Sequence, residues 1–277
     1  MTTRTLLVSL WDPWPAPALL CLVALGFYGV RYRDRPSSRA AYFVGAVAVF
    51  FLALASPIGV LARGYLFSAH MLQHLLLLLV VPPLILMGLP RDPAADAVST
   101  GQAPPRRALR YGGPWLAGVG GMWLWHERTL CNAAALRPSV QCLQTVSLLA
   151  MGVAFWLPIL SPRARDRFPA FAGIFYLFAA CVACTVLGIL VTFSPVEVCS
   201  IYARPIDKLG VLPLLRDGWG LSCSGDQQLG GLMMWVPTCL VYVAAILATL
   251  ARYYREEGLS PASSVGVGES RAVLEVK

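Results

Sequence analysis

Two histidines sit four residues apart inside a long apolar run. The stretch SAHMLQHLLLLLVVPPLILMGLP, Ser68 to Pro90, carries His70 and His74 with Met71 between them, and the chain holds only one other histidine, His126. Polar side chains inside hydrocarbon are costly and usually functional. On a helix, positions i and i+4 share a face with their side chains about 6 Å apart. Met71 stands three residues before His74 on the same helix. Two imidazoles and a thioether within reach of one another make a ligand set suited to copper, because thioether selects cuprous ion and imidazole accepts several transition metals. The same histidines could instead hydrogen-bond neighbouring helices with no metal at all.

The elements that must position these residues follow from composition. Of 277 residues 57% are hydrophobic and 13% charged, and the mean hydropathy is +0.66. That leaves too little polar surface to cover a water-soluble globule, so the expected class is an integral membrane protein. A helix needs about 20 apolar residues to span the bilayer. Seven windows meet that need approximately: Ala16 to Val30, Ala40 to Ser56, Leu66 to Gly88, Gly112 to His126, Ser139 to Leu160, Phe168 to Phe193 and Leu229 to Ala251. The expected fold is all-α and polytopic, one seven-helix transmembrane domain over residues 1–257. The Gly/Ser/Val-rich tail, 258–277, is too poor in apolar area to fold.

A net charge of +8 would point to nucleic acid in a soluble protein, but here the placement of the positive charges favours topology. With the N-terminus outside, the inner connections hold 13 arginines: Arg31, Arg33, Arg35, Arg39, Arg91, Arg106, Arg107, Arg110, Arg163, Arg165, Arg167, Arg252 and Arg255. The outer side holds 7 basic residues: Arg4, Arg63, Arg128, Arg137, Arg204, Lys208 and Arg216. The positive-inside rule therefore places the N-terminus outside and the C-terminus in the cytoplasm. The first apolar segment has almost no basic residue before it and a basic cluster after it, which reads as an anchor rather than a cleaved signal.

This topology gathers the polar intramembrane groups at one depth. His70 and His74 fall in the outer half of the third span, His126 ends the fourth, and Gln141 and Gln144 open the fifth. Asp226, Gln227 and Gln228 open the seventh. Ser224 and Gln227 have capping-box spacing and Asp226 suits the positive end of a helix dipole, so a capping role stands beside a ligand role. Cys199 and Cys223 lie in the outer connection, residues 194–225, and could pair in an oxidising compartment. The CVAC pair, Cys181 and Cys184, has a metal or redox spacing but reads as small core residues. Pro82 and Pro83 predict a kink just inward of the histidines, with room for a small polar cavity above it unless neighbours satisfy the freed carbonyls.

SAHMLQHLLLLLVVPPLILMGLP, WLWH, FWLPIL and DQQLGGLMMWVP, spread in this order over most of the chain, resemble the seven-helix CtaG family of caa-type cytochrome c oxidase assembly factors. That family is distinct from the single-span copper chaperones sharing its name. The resemblance implies a multi-pass protein of the bacterial plasma membrane, haem-copper oxidase subunits as partners and copper as the cofactor. Carried over by motif, it points to His70, His74, His126 in WLWH, and Asp226 and Met234 in the last motif, to which the spacing argument adds Met71. Members usually carry histidine at the start of the fifth helix, where this chain has Gln141 and Thr145 in QCLQTVSLL. Cys142 could supply a compensating thiolate.

Other classes fit less well. A retinal protein needs a lysine within a span, and Lys208 and Lys277 both fall outside them. A haem protein could join His74 and His126 as axial ligands. A transporter or copper-resistance protein predicts a polar path continuing inward, whereas the inner halves carry few ionisable groups. With no triad, phosphate loop or zinc-protease motif, the expectation is a non-enzyme. The topology predicts that a thiol introduced at Ser194 is labelled from outside intact cells and one at Ser99 is not. The reverse labelling would move all three histidines to the cytoplasmic side.

Overall fold

The computed structural model describes residues 2–12, 15–34, 38–91, 112–163, 166–256 and 258. Residues 259–277, most of the expected tail, and the arginines of residues 92–111 lie outside the described residues. The described chain is all helical and contains no strand. The helices are α1 (Thr3–Ser9), α2 (Pro15–Arg31), α3 (Ala40–Ala55), α4 (Pro57–Ala62), α5 (Phe67–Gly88), α6 (residues 112–125), α7 (Arg128–Leu136), α8 (Pro138–Leu160), α9 (Ala170–Thr192), α10 (Ser200–Ala203) and α11 (Cys223–Glu256). Helix thus forms over every one of the seven apolar windows.

Four of these helices are long and apolar enough to cross a membrane: α5 with 22 residues, α8 and α9 with 23 each, and α11 over Cys223–Arg255. The helices α2 and α3 are apolar but shorter. The outward faces of α9 and α11 are strongly apolar, with Phe171, Phe175, Phe178, Leu240 and Leu247 exposed, as lipid-facing surfaces are. Small residues let the long helices approach closely. A side chain added at Gly188 would come within 2.8 Å of Trp235 Cβ, and one added at Gly231 would run into Thr192.

The connections sort to two ends. At one end α1, α4, α7, α10 and residues 204–222 form a cap: Asp12 pairs with Arg63, Tyr65 Oη accepts from Lys208 N and Leu209 N, and Arg128 donates to the Glu197 carbonyl. A disulfide joins Cys131 to Cys199 across this cap. The pairing of Cys199 with Cys223 that the sequence left open does not form. Cys131 of α7 takes Cys199, while Cys223 stays a thiol and donates to the Ala203 carbonyl. The arginine-rich end is tied by Arg39 to the Leu89 carbonyl and Arg252 to the Ile159 carbonyl.

The proline pair in α5 is accommodated by a wider turn rather than an open break. Residues Leu76–Val80 form a π turn in which the Val81 amide reaches back to Leu76 O. Pro82 has no N–H to offer Leu78 O four residues earlier. Trp156 of α8 supplies the missing donor, its Nε1 lying 3.2 Å from Leu78 O. The approach depends on Gly152, one turn earlier on α8, where an added Cβ would stand 2.5 Å from Pro82 Cγ and 2.8 Å from Leu78 O. Trp156→Phe keeps an aromatic ring but orphans that carbonyl and leaves a gap where the rest of the indole was. It should cost about 1–3 kcal/mol for the carbonyl plus a cavity cost, read as a lower melting temperature with unchanged helical circular dichroism. An unchanged melting temperature would mean that the carbonyl finds water or another donor.

Candidate metal centre

The site begins with the start of α5. Helix N-termini leave four backbone N–H groups without intrahelical partners. Here Asp226 of α11, 1% exposed, accepts from Phe67 N at 2.7 Å, from Ser68 N at 3.0 Å and from Ser68 Oγ at 2.6 Å. This carboxylate caps another helix, not its own. The start of α11 is capped by Ser222, whose Oγ accepts from Gly225 N at 3.0 Å. The capping-box partner expected in Gln227 instead ties down the loop after α9, accepting from Val198 N and donating to Val196 O. Both carboxylate oxygens of Asp226 are thus engaged by α5.

One turn into α5 the histidines come together. His70, His74 and His126 are 3%, 1% and 8% exposed. The rings of His70 and His74 lie 4.2 Å apart, and those of His74 and His126 5.6 Å apart at nearly right angles. Nε2 of His70 and both ring nitrogens of His74 are buried with no hydrogen-bond partner. Gln144 of α8 reaches toward His74 but falls short of hydrogen-bond geometry, and its own amide nitrogen is also unpaired. Buried polar groups left without partners ordinarily cost about 1–3 kcal/mol each. Several at one point is the signature of a ligand site or of bound water.

His126 adds direction. At the end of α6 its Nδ1 lies 2.7 Å from the Met122 carbonyl, so this nitrogen carries the proton and donates. In that tautomer Nε2 is a lone-pair acceptor, and it faces Met71 Sδ at 3.1 Å. Two acceptors facing one another gain nothing without a cation. Bound to one metal at bond lengths of about 2.0 and 2.3 Å, an imidazole nitrogen and a sulfur at roughly right angles would be about 3 Å apart. Among the described residues no group of three or more His, Cys, Asp or Glu side chains is placed to hold a metal ion, so the three histidines alone do not make a metal site and any set here must recruit thioether. Met234 of α11 is 5% exposed and lines a cavity just inward of the histidines together with Met71, His74, Met122 and Cys184.

The capping loop covers this cluster. The Tyr202 ring lies 5.5 Å from that of His70, and its hydroxyl donates to Ala62 O at 2.7 Å. Burial, and then the nearby Asp226, push the Tyr202 phenol well above its ordinary pKa, which keeps it a donor. Next to His126, Glu127 caps α7, and hydrogen bonds from Thr129 and Leu130 hold its carboxyl below the usual range.

The structure brings His70, Met71, His74, His126 and Met234 near one another, with Gln144, which the sequence set at the same depth, reaching toward His74. Cys142 is exposed on α8, so it offers no thiolate here. Cys184, read from the sequence as a small core residue, lines the adjoining cavity, and so does Met122, which sequence reasoning missed because a methionine in an apolar helix looks like any core residue.

A family model described as cytochrome c oxidase caa3 assembly factor (Caa3_CtaG) matches residues 21–256. The chain belongs to this family. It is accordingly a membrane protein of the oxidase assembly class, and the match takes in every helix from α2 to α11. A curated relative from Mycobacterium leprae (strain TN), described as an uncharacterized protein, is 27% identical over 237 residues, 78% of this chain. The match covers 34% of that relative's length, so the chain spans about a third of it. No solved structure matches.

The geometry separates capping from ligation at Asp226. Asp226→Ala leaves the Phe67 and Ser68 amides without an acceptor, at about 1–3 kcal/mol. Asp226→Asn keeps one acceptor oxygen and should lose less. Both should lower the melting temperature in that order. An unchanged melting temperature in both variants would remove the capping role from Asp226.

Proposed function

We propose that this family member assists maturation of a haem-copper oxidase in a bacterial plasma membrane by holding copper at His70, Met71, His74 and His126 and presenting it to an oxidase subunit. One observation carries the reading: unpartnered imidazole nitrogens beside a thioether, all buried within an oxidase assembly family. The donor types fit the cargo, since soft sulfur and imidazole favour copper over hard cations. The role is to bind and present, without a chemical transformation.

The proposed orientation puts the histidine end outside. Two features support it: the excess of arginine at the other end, and the Cys131–Cys199 disulfide at the histidine end, which suits an oxidising compartment. A transporter would need the polar path to continue toward the arginine-rich end. Beneath the cavity the bundle is filled by Phe155, Trp156 and Tyr242, all buried, with Phe155 and Trp156 packed edge to face at 5.4 Å.

The test replaces His70 and His74 by leucine. Removing buried unpartnered imidazoles in favour of apolar groups should leave stability unchanged or raised, so the variant accumulates in the membrane. Oxidase activity in the host's membranes should fall toward the level of a strain lacking the protein, with at least partial rescue by added copper. Normal oxidase activity at normal protein abundance would sink the role assigned to the pair. Lost oxidase without copper rescue would make the histidines a docking surface for an oxidase subunit.

A further inference from the structure

Just inward of the histidines, α5, α6, α9 and α11 enclose a small cavity of about 10 Å³ open to a water-sized sphere, room for about one water or ion. Its lining includes Met71, Met122, Met234, Cys184 and His74, whose two ring nitrogens are unpartnered, beside the neutral hydroxyls of Thr238 and Tyr242. The sulfur-bearing residues come from all four helices, so they meet through tertiary packing rather than by helical repeat. Every one is buried: Met71 1%, Met122 5%, Met234 5%, Cys184 4% and His74 1% exposed. The wall carries no carboxylate, and Asp226 is engaged at the start of α5.

We propose that this chamber is a cuprous-ion site, distinct in donor set from the three histidines and sharing only Met71 and His74 with them. The inference rests on the copper-handling reading above and adds Met122, which joins Met234 of the last motif beneath the histidines in a separate donor set. The chemistry selects one charge. A cation in a low-dielectric interior with only neutral donors loses its hydration with little Coulombic return, and this penalty grows steeply with charge. A monovalent ion is therefore the form that such a wall admits. Among biological metals, cuprous ion is the one that thioethers prefer, whereas zinc favours imidazole, thiolate and carboxylate. His126 is coupled to the same wall, because its Nδ1 is fixed by the Met122 carbonyl and its Nε2 faces Met71. An ion held by Met71 would thus have imidazole above and sulfur below. Close packing holds the wall in place: an added Cβ at Gly230 of α11 would stand 3.1 Å from Met71 Cγ.

The experiment uses the full chain in lipid nanodiscs under anaerobic conditions, titrated with cuprous ion against the chromophoric chelator bicinchoninate, with zinc as the comparison metal. Wild-type protein should take up cuprous ion with sulfur in its X-ray absorption shell, and zinc should not displace it. Met122→Leu and Met234→Leu together nearly conserve volume and should fold; Met122→Leu alone is the milder variant should the pair fail to accumulate. Cuprous affinity should fall by at least about 10-fold, the lower end of what even outer-shell changes cost at metal sites. Wild-type protein that binds copper through nitrogen and oxygen alone, with affinity unchanged in both variants, would overturn the sulfur chamber and leave the histidine reading standing. Folded wild-type protein that binds no copper in either oxidation state would overturn both.

Discussion

The Asp226 carboxylate, 158 residues beyond Ser68 in sequence, closes the start of α5 with three short hydrogen bonds. Charge-assisted bonds in a buried setting are about twice as strong as neutral ones, and the N-terminal end of a helix favours a negative charge. The consequence is geometric. His70, Met71 and His74 sit within the first two turns from that cap, so the point where Asp226 grips α5 sets their height against Met234, two turns along α11 from the same carboxylate. The bond is thus a register pin between the two helices that supply most of the soft donors.

Below the pin a second constraint keeps the inner half of α5 from undoing it. Pro82 cannot donate to Leu78 O, and a break there would let the outer segment swing. The π turn at Leu76–Val80 takes up the mismatch inside the helix, and the Trp156 indole satisfies the freed carbonyl from a neighbouring element. A π turn often marks a functional position because it shifts the face that later side chains present. Here it begins two residues after His74, at the level of the sulfur-lined cavity, where Leu78 and Leu79 join the wall.

The helices were legible because the bilayer imposes a crude and long-range rule: about 20 apolar residues in a row. That rule places α5, α8 and α9 within a few residues of where they lie, whereas α11 begins earlier, at Cys223, where Ser222 caps it. The grouping of His70, His74 and His126 was also legible, since topology alone brings the ends of alternate spans to one depth. Pairwise identity was not. Asp226 has the local spacing of a cap for its own helix, and only the packing of α11 against α5 shows that it caps a different one. Cys199 had Cys223 as an obvious partner within one loop, yet the fold brings Cys131 of α7 to it. Met122 carries no pattern beyond an apolar helix face, Cys184 stood out only by its CVAC spacing and Gln144 only by its depth, and where they meet the histidines appears only once the helices pack.

If the proposed copper is carried here, the burial of the cluster bears on how it would leave. His70 is covered by Tyr202, whose hydroxyl is pinned to Ala62 O, and the segment carrying Tyr202 is joined to α7 through Cys131–Cys199. The disulfide is set three residues from Tyr202, which confines the cover without touching the histidines. Tyr202 and Ala62 belong to the cap, not to the long helices, so the cover can lift by local opening, which needs far less free energy than unfolding the bundle. Such an opening would admit water to imidazole nitrogens that have no partner while the cover is shut. The unpaired nitrogens therefore act in two senses at once: they favour an ion when the cap is closed, and they lower the cost of opening when no ion is present.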